Sequence, residues 1–399
     1  MKNKRKIIAI IASLLIIVLI AISLVYFNTR ENNIEIKSSL KEYNAESQEN
    51  EHMHLEEDAS GDKVPVPNGY VGSKVTGENE IDTGYVIYEG EEEVTDENVE
   101  EAQRTRNQYV WVPVPDVSKF YGTDENGKKW GKLYEFTMET GENIDPITGA
   151  IPLNWSETNE IMEVSKSSNR EPEVLTNGTS TVYDGDSRIK LLDTEIKSTH
   201  EFLIQLEQEF NSMIESVKKY GGFYIGRYET GDLSKDKAVV TKGNTDIGSQ
   251  TWYTMYIKCK NLNNGSRNVE TGIIWGSQWD RTLMWLIESG NKTKEQVCKD
   301  SSSWGNYKNA EFEYINTSGN KIMKYADKNQ LIPTGSSEYT KANNIYDLAG
   351  NVWDWTVENG SYLGTRNFRG GSYIYDGYTR MVTSNIPRDI YSINNSIRM

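Results

Sequence analysis

The pattern of hydrophobic and polar positions divides the chain into a few strongly patterned stretches separated by polar ones. Ile7 to Tyr26 (IIAIIASLLIIVLIAISLVY) contains 20 uncharged, almost wholly apolar residues. At 1.5 Å per residue a helix of this length spans about 30 Å, the thickness of bilayer hydrocarbon. Between Ser198 and Tyr220, the residues Leu203, Leu206, Phe210, Met213, Val217 and Tyr220 recur at spacings of three and four. That spacing predicts one face of an α-helix. Ser198 and Glu201 form a capping box at its start, and Gly221-Gly222 stops it. A strand, Phe223 to Tyr228, follows at once. A second helix is predicted from Ser277, capped with Asp280, through Trp279, Leu283 and Leu286 to Glu288, ending at Gly290. Tyr109 to Val114 (YVWVPV) is dense in β formers, and Pro113 places it at a sheet edge or a strand end. Val64 to Tyr88 reads as short strands with turns, and Glu91 to Glu101 as an exposed loop or helix start. Gly122 to Ser198 and Lys299 to Thr340 are polar and loop-like, and no internal repeat is visible.

Charge orients the first run. Lys2, Lys4, Arg5 and Lys6 precede it, so the amino end is expected in the cytoplasm and the rest outside. A cleaved signal peptide is the alternative, with Ala21-Ile22-Ser23 as its cleavage site. Glu31 to Asp62 holds ten acidic and two basic residues and reads as a self-repelling tether, with His52 and His54 in a solvated tail. The expected organisation is a basic tail (1–6), an anchor (7–26), a disordered acidic linker (27–63) and an extracellular domain (64–399). The core of that domain is expected at about 109–121 and 199–399. Beyond residue 30 there are 38 basic against 59 acidic side chains, which excludes nucleic acid as the default partner. The 24 Tyr and ten Trp supply the core that a 36% apolar content otherwise leaves thin.

Two stretches resemble a known family. Gly222-Phe223-Tyr224-Ile225-Gly226-Arg227-Tyr228-Glu229 is the first. The second is Asn344-Ile345-Tyr346-Asp347-Leu348-Ala349-Gly350-Asn351-Val352-Trp353-Asp354-Trp355-Thr356, followed by Arg369-Gly370-Gly371-Ser372-Tyr373. In order, spacing and composition they resemble the sulfatase-modifying-factor domain, the fold of formylglycine-generating enzyme. The resemblance implies an irregular α+β fold related to C-type lectins, with few helices, small antiparallel sheets and long loops. Asn395 to Met399 stands where that family has its closing strand.

The resemblance also bears on chemistry. The family's oxidase uses two cysteines just after the "GGS" element, and Gly370 to Met399 contains none; Cys259 and Cys298 lie upstream. Its iron-dependent branch needs three histidines, and only His200 lies in the expected fold. Copper and iron are therefore not expected. Calcium at the "GNVWDW" turn is implied through the Asp347 and Asp354 side chains and the Gly350 and Val352 carbonyls, a ligand set of the oxygen type calcium takes. Turn capping and pairing with arginine is the other role for those two aspartates. Outside the cytoplasm, Cys259 and Cys298 are either a disulfide or two separate thiols.

From Ser372 to Asn395 the chain is rich in Tyr, Asn, Ser, Asp and Arg, the palette of a binding surface. The candidate ligand-binding residues are Tyr373, Tyr375, Asp376, Tyr378, Arg380, Asn385, Arg388 and Tyr391. Trp111, Trp275, Trp279, Trp353 and Trp355 are either sugar platforms or core, with core expected for Trp279 and Trp353. Exposure is expected for Trp252, Tyr253, Tyr256 and Trp304. The function these features imply is a membrane-anchored extracellular module, of bacterial style, that binds a protein or glycan without catalysis. An enzyme with an unrecognised site and a structural surface component are the rivals.

Overall fold

The computed structural model describes residues 49–123, 129–135, 154–157, 199–248, 250–263, 265–359, 365–383, 386–389 and 396–397. They belong to one compact unit, Ser47–Met399. The apolar run 7–26 lies outside the described residues, and among those residues no helix is long and apolar enough to cross a membrane.

Order begins earlier than the composition suggests. β1 (Met53–Glu57) pairs antiparallel with β2 (Lys63–Pro67), so 49–63 is not disordered linker. The pairing works because both faces of the hairpin are covered, Val64 and Val66 buried on one and Met53 and Pro65 on the other, while Glu56 of β1 finds partners. Glu56 accepts from the Gly72 N–H at 2.8 Å and from Lys74 Nζ at 2.9 Å. His52 and His54 are not in a free tail either: their Nδ1 atoms lie 3.2 Å from Asn268 Oδ1 and Asn68 Oδ1.

A four-stranded antiparallel sheet follows. β3 (Tyr70–Gly72), β4 (Val86–Glu89), β5 (Gln108–Pro113) and β9 (Gly222–Gly226) lie side by side in that order. Every residue of β5 is buried, and Pro113 sits at its last position, opposite Gly222, where no further ladder donor is needed. Helix α1 (Val99–Thr105) leads into β5. β6 (Tyr121–Thr123), β7 (Lys129–Glu135) and β8 (Asn154–Glu157) form a separate three-stranded sheet within the stretch expected to be loop.

Helix α2 (Thr199–Tyr220) ends at Gly221, whose φ of 85° is the left-handed stop that glycine allows. Its buried stripe is Leu206, Phe210, Ile214 and Val217; Ile214 faces the core in place of the expected Met213. α3 (Trp252–Lys260) is a helix that the polar flanks conceal. Trp252, Met255, Tyr256 and Cys259 form its buried face, which corrects the expected exposure of Trp252 and Tyr256. Trp304 is buried as well. α4 (Gly276–Glu288) starts one residue before the predicted position, because Gln278 Oε1 caps the Trp275 N–H at 3.0 Å. Asp280 is drawn instead to Arg369 at 3.3 Å. α5 (Lys294–Cys298) is capped by Thr293.

The remaining strands are short. β10 (Phe312–Ile315) and β11 (Lys321–Lys324) form a hairpin. β12 (Lys341–Ala342) and β13 (Ile345–Tyr346) form another, turned by Asn343 and Asn344, both at positive φ. Asn344 Nδ2 reaches back to the carbonyls of Gly77 (2.6 Å) and Gly84 (2.8 Å), fastening this hairpin to the amino-terminal half. The last sheet runs β16 (Ile386–Asp389), β15 (Thr365–Arg369), β14 (Asp354–Asn359), β17 (Ser396–Ile397), and only β17 is parallel to its neighbour. Ser396 and Ile397 thus supply a strand beside Asp354 and Trp355. The whole is a mixed helix-and-strand fold with small, mostly antiparallel sheets, few helices and long connections. Trp111, Trp275, Trp279, Trp353 and Trp355 are all buried within it.

Candidate functional site

The turn between β13 and β14 is built on four left-handed or glycine positions and one buried carboxylate. Asp347 (φ 58°), Gly350 (φ 77°) and Asn351 (φ 54°) bend the chain, and Gly370 (φ 93°) lies across from them. The Gly350 N–H donates to the Gly370 carbonyl at 2.8 Å. A Cβ on Gly350 would stand 2.3 Å from the Asn306 carbonyl oxygen, so the close approach admits only glycine. Asn351 is the hub. Its Nδ2 donates to Glu229 Oε2 at 2.6 Å, and its Oδ1 accepts from Asn306 Nδ2 at 2.8 Å and from the Ile332 N–H at 3.2 Å. Glu229 Oε1 also accepts from the Val352 N–H at 3.1 Å. The two sequence stretches that carry the family resemblance therefore meet at Glu229, a residue to which the sequence reading assigned no role.

The segment after Gly371 rests on this turn. The Tyr373 N–H donates to the Asn351 carbonyl (3.0 Å) and the Lys308 N–H to the Tyr375 carbonyl (2.8 Å). The Gly377 N–H donates to Asn309 Oδ1 (3.1 Å), and the Ser301 N–H to the Gly377 carbonyl (3.2 Å). The backbone of 373–377 is thus laid along the 300–309 loop. That loop is held from below by Lys324, whose Nζ donates to the carbonyls of Tyr307, Lys308 and Ala310. Burial pulls this ammonium down to about 8, while Asp327 and Glu311 act in the opposite direction.

Side chains on this fixed backbone point outward. Tyr378 is 50% exposed and Ile374 41%. The Tyr378 hydroxyl donates to Asp376 Oδ2 at 2.9 Å. That hydrogen bond, with the Asp376, Asp300 and Asp327 carboxylates, raises the hydroxyl above its ordinary value. Tyr375 meets the Trp353 ring edge-on at 6.0 Å, and the Arg380 guanidinium lies over Tyr375 at 5.8 Å. Tyr373, Tyr375, Asp376, Tyr378 and Arg380 are therefore gathered in one loop. Arg388 belongs to β16, where its backbone pairs with Arg366, a strand away from that loop. Asn385 and Tyr391 lie outside the described residues. The sequence reading missed the neighbours that complete this surface: Asp300, Lys308 and the β10–β11 hairpin. Its one available signal was the apolar pair Ile322-Met323 inside a polar stretch.

The aspartates of the calcium set are placed as follows. Asp347 Oδ2 accepts from Thr334 Oγ1 (3.0 Å) and the Gly335 N–H (2.7 Å), so this carboxylate tethers the 334–335 bend. Asp354 opens β14 opposite Arg369. Among the described residues no group of three His, Cys, Asp or Glu side chains is arranged to hold a metal ion.

Cys259 and Cys298 are both free and buried, which corrects the disulfide alternative. Cys259 lies on α3 and Cys298 ends α5. Burial pushes both thiols up, Cys298 to about 12 despite Lys294 nearby, and Cys259 further still. Neither presents a thiolate near neutral pH. The expected result of maleimide labelling is therefore no reaction in the native state and two labels in denaturant. Rapid labelling of either cysteine in native protein would place it elsewhere.

No protein-family model matches the chain, and no curated protein is similar to it in sequence.

Proposed function

We propose that this chain is a membrane-anchored extracellular binding module built on a sulfatase-modifying-factor scaffold of C-type lectin type, and that it holds a protein or glycan ligand through its carboxy-terminal loops. The observation that carries this reading is the contrast within 372–380. The backbone is pinned by the 300–309 loop and by Asn351, yet Ile374, Tyr378, Thr379 and Arg380 stand exposed. Rigid backbone under displayed Tyr and Arg is what a pre-organised recognition surface requires. The "YDLAGNVWDWT … RGGS" residues support the scaffold assignment, since they build the turn on which that surface rests. The buried thiols of Cys259 and Cys298 support a module without the family's oxidase chemistry. The apolar run 7–26 with its basic flank supports the anchor and the outward orientation.

The test is binding of the full chain, held in lipid nanodiscs, to protein and glycan arrays. Tyr375→Ala and Tyr378→Ala are expected to melt close to the parent protein and to lose at least about tenfold in affinity, as central aromatic contacts do. Loss of melting temperature or of binding on chelation with EDTA would assign calcium to the Asp347/Asp354 turn; no change in either would leave that turn held by protein groups alone. A folded, monodisperse sample that binds nothing on either array would sink the module reading. Turnover abolished by Asp376→Asn or Arg380→Ala would replace it with an enzyme.

A further inference from the structure

Every large hydrophobic side chain that is exposed among the described residues falls in two segments. Ile315, Ile322, Met323, Tyr325 and Leu331 lie on or just after the β10–β11 hairpin, and Ile374 and Tyr378 lie in the carboxy-terminal loop. The two segments adjoin. The Asp327 N–H donates to the Lys308 carbonyl (2.8 Å), and the Lys308 N–H donates to the Tyr375 carbonyl (2.8 Å). Ile315 and Met323 share one face of the hairpin and Ile322 lies on the other, so both faces beside this strand carry exposed apolar side chains, which on an otherwise polar domain marks an interaction surface.

Two features decide what it receives. The first is a strand edge. β10 is covered on its outer side, where the Ile315 N–H donates to the Ser336 carbonyl (2.9 Å) and Ser337 Oγ to the Glu313 carbonyl (2.6 Å). The far side of β11 makes no backbone hydrogen bond to another segment among the described residues. Lysines often guard such edges, but both lysines of β11 are otherwise used. Lys321 pairs with Glu313, and Lys324 is turned inward to the three carbonyls. The second feature is charge. The Tyr378 hydroxyl donates to Asp376 (2.9 Å), the Ser301 N–H beside Asp300 donates to the Gly377 carbonyl (3.2 Å), and Asp327, three residues past β11, is tied through Lys308 to Tyr375, so three carboxylates are carried on the segments that meet at Tyr378; the Tyr325 ring, two residues before Asp327, is 58% exposed. Aromatic faces ringed by carboxylates favour a cation.

We infer that the open edge of β11 and the Tyr378 cluster together receive an extended, basic segment of a partner protein. The inference rests on the binding-module reading and names the chemistry of its partner. An extended peptide adds its main chain to the β11 edge and sets apolar side chains against Met323 and Ile322. Its lysine or arginine enters beside Tyr378, among the three carboxylates. A glycan has no main chain to pair with the strand. A second copy of this chain, with a net charge of −21 beyond residue 30, meets like-charge repulsion.

The full chain in lipid nanodiscs is tested against short synthetic peptides graded from acidic to basic, with a glycan array in parallel. The expected result is selective binding of basic peptides with apolar neighbours. Binding weakens with salt and is lost when alternate peptide nitrogens are methylated. Tyr378→Ala and Asp327→Asn each weaken it by about tenfold. Both variants are expected to fold: Tyr378 is half exposed, and asparagine accepts the φ of 61° at position 327. Binding indifferent to peptide charge, to methylation or to Tyr378→Ala overturns the inference. Glycan binding without peptide binding overturns it and leaves the module reading in place. A folded protein that binds neither overturns both.

Discussion

Glu78→Ala is expected to destabilise the protein by about 3–5 kcal/mol, the loss typical of removing one partner from a buried ion pair. In a domain of this size that lowers the melting temperature by on the order of 10 °C. Arg227 of the GRYE stretch is 1% exposed, and its Nη2 lies 2.6 Å from Glu78 Oε1. The carboxylate also accepts from Gln103 Nε2 (3.1 Å), Ser73 Oγ (2.9 Å) and the Tyr88 hydroxyl (2.8 Å). The guanidinium donates further to Tyr88 and Gln108. Removing the carboxylate leaves Arg227 charged in a dry site, beside the stacked Tyr228 and Tyr346 rings. A paired replacement, Glu78→Leu with Arg227→Met, should recover most of the loss, because the charge then leaves with its partner.

The same pair sets an acid limit. Burial raises the Glu78 carboxyl, but Arg227, Tyr88 and Ser73 outweigh it and hold the net value below the usual 4.5. A carboxyl lowered in the folded state contributes stability that is complete above pH 4.5 and is lost as pH falls through the folded value. Melting curves of the parent and Glu78→Gln should therefore stay a constant distance apart near neutrality and converge below pH 4.5. A separation that persists unchanged into strong acid would show that Glu78 does not carry this linkage.

Much of the frame was legible in the chain. The three-and-four spacing from Leu206 to Val217 announces α2, and Gly221 ends it where a left-handed residue is needed. Where the reading failed, a tertiary partner had overridden the local signal. Asp280 is a better cap than Gln278 by type, but Arg369 takes it. The acidic composition of 49–63 hides β1, because Glu56 is satisfied by Lys74 and the Gly72 N–H rather than by water. α3 is masked by its polar flanks, although Trp252, Met255, Tyr256 and Cys259 already follow helical spacing. At the site, the motif located the turn at Asn351 but not its contents. Glu229 lies 122 residues away and Asn306 lies 45 away, distances over which pattern carries no information.

Asn351 therefore yields the other large effect expected. Asn351→Ala removes the acceptor for Asn306 Nδ2 and for the Ile332 N–H, and a donor to Glu229, all in a site closed to water. Buried donors left unmet cost about 1–3 kcal/mol each, so a loss of about 3–4 kcal/mol is expected, part of it from placing alanine at φ 54°. Asn351→Gly separates the two causes. It relieves the backbone but still lacks the side-chain hydrogen bonds, so it should fall between the parent and the alanine variant. Asn351→Asp keeps an acceptor for Asn306 but sets a second carboxylate against Glu229 Oε2, now without the 2.6 Å donor. That variant should be the least stable near neutral pH and should recover toward acid, as one of the two carboxyls takes a proton. Because the Tyr373 N–H hangs on the Asn351 carbonyl and Trp353 packs under Tyr375, all three variants should also loosen the recognition loop. Tryptophan near-UV dichroism and ligand affinity should fall in the same order as stability. An aspartate variant as stable as the parent across pH would mean that Glu229 does not face this side chain, and the turn would have to be held some other way.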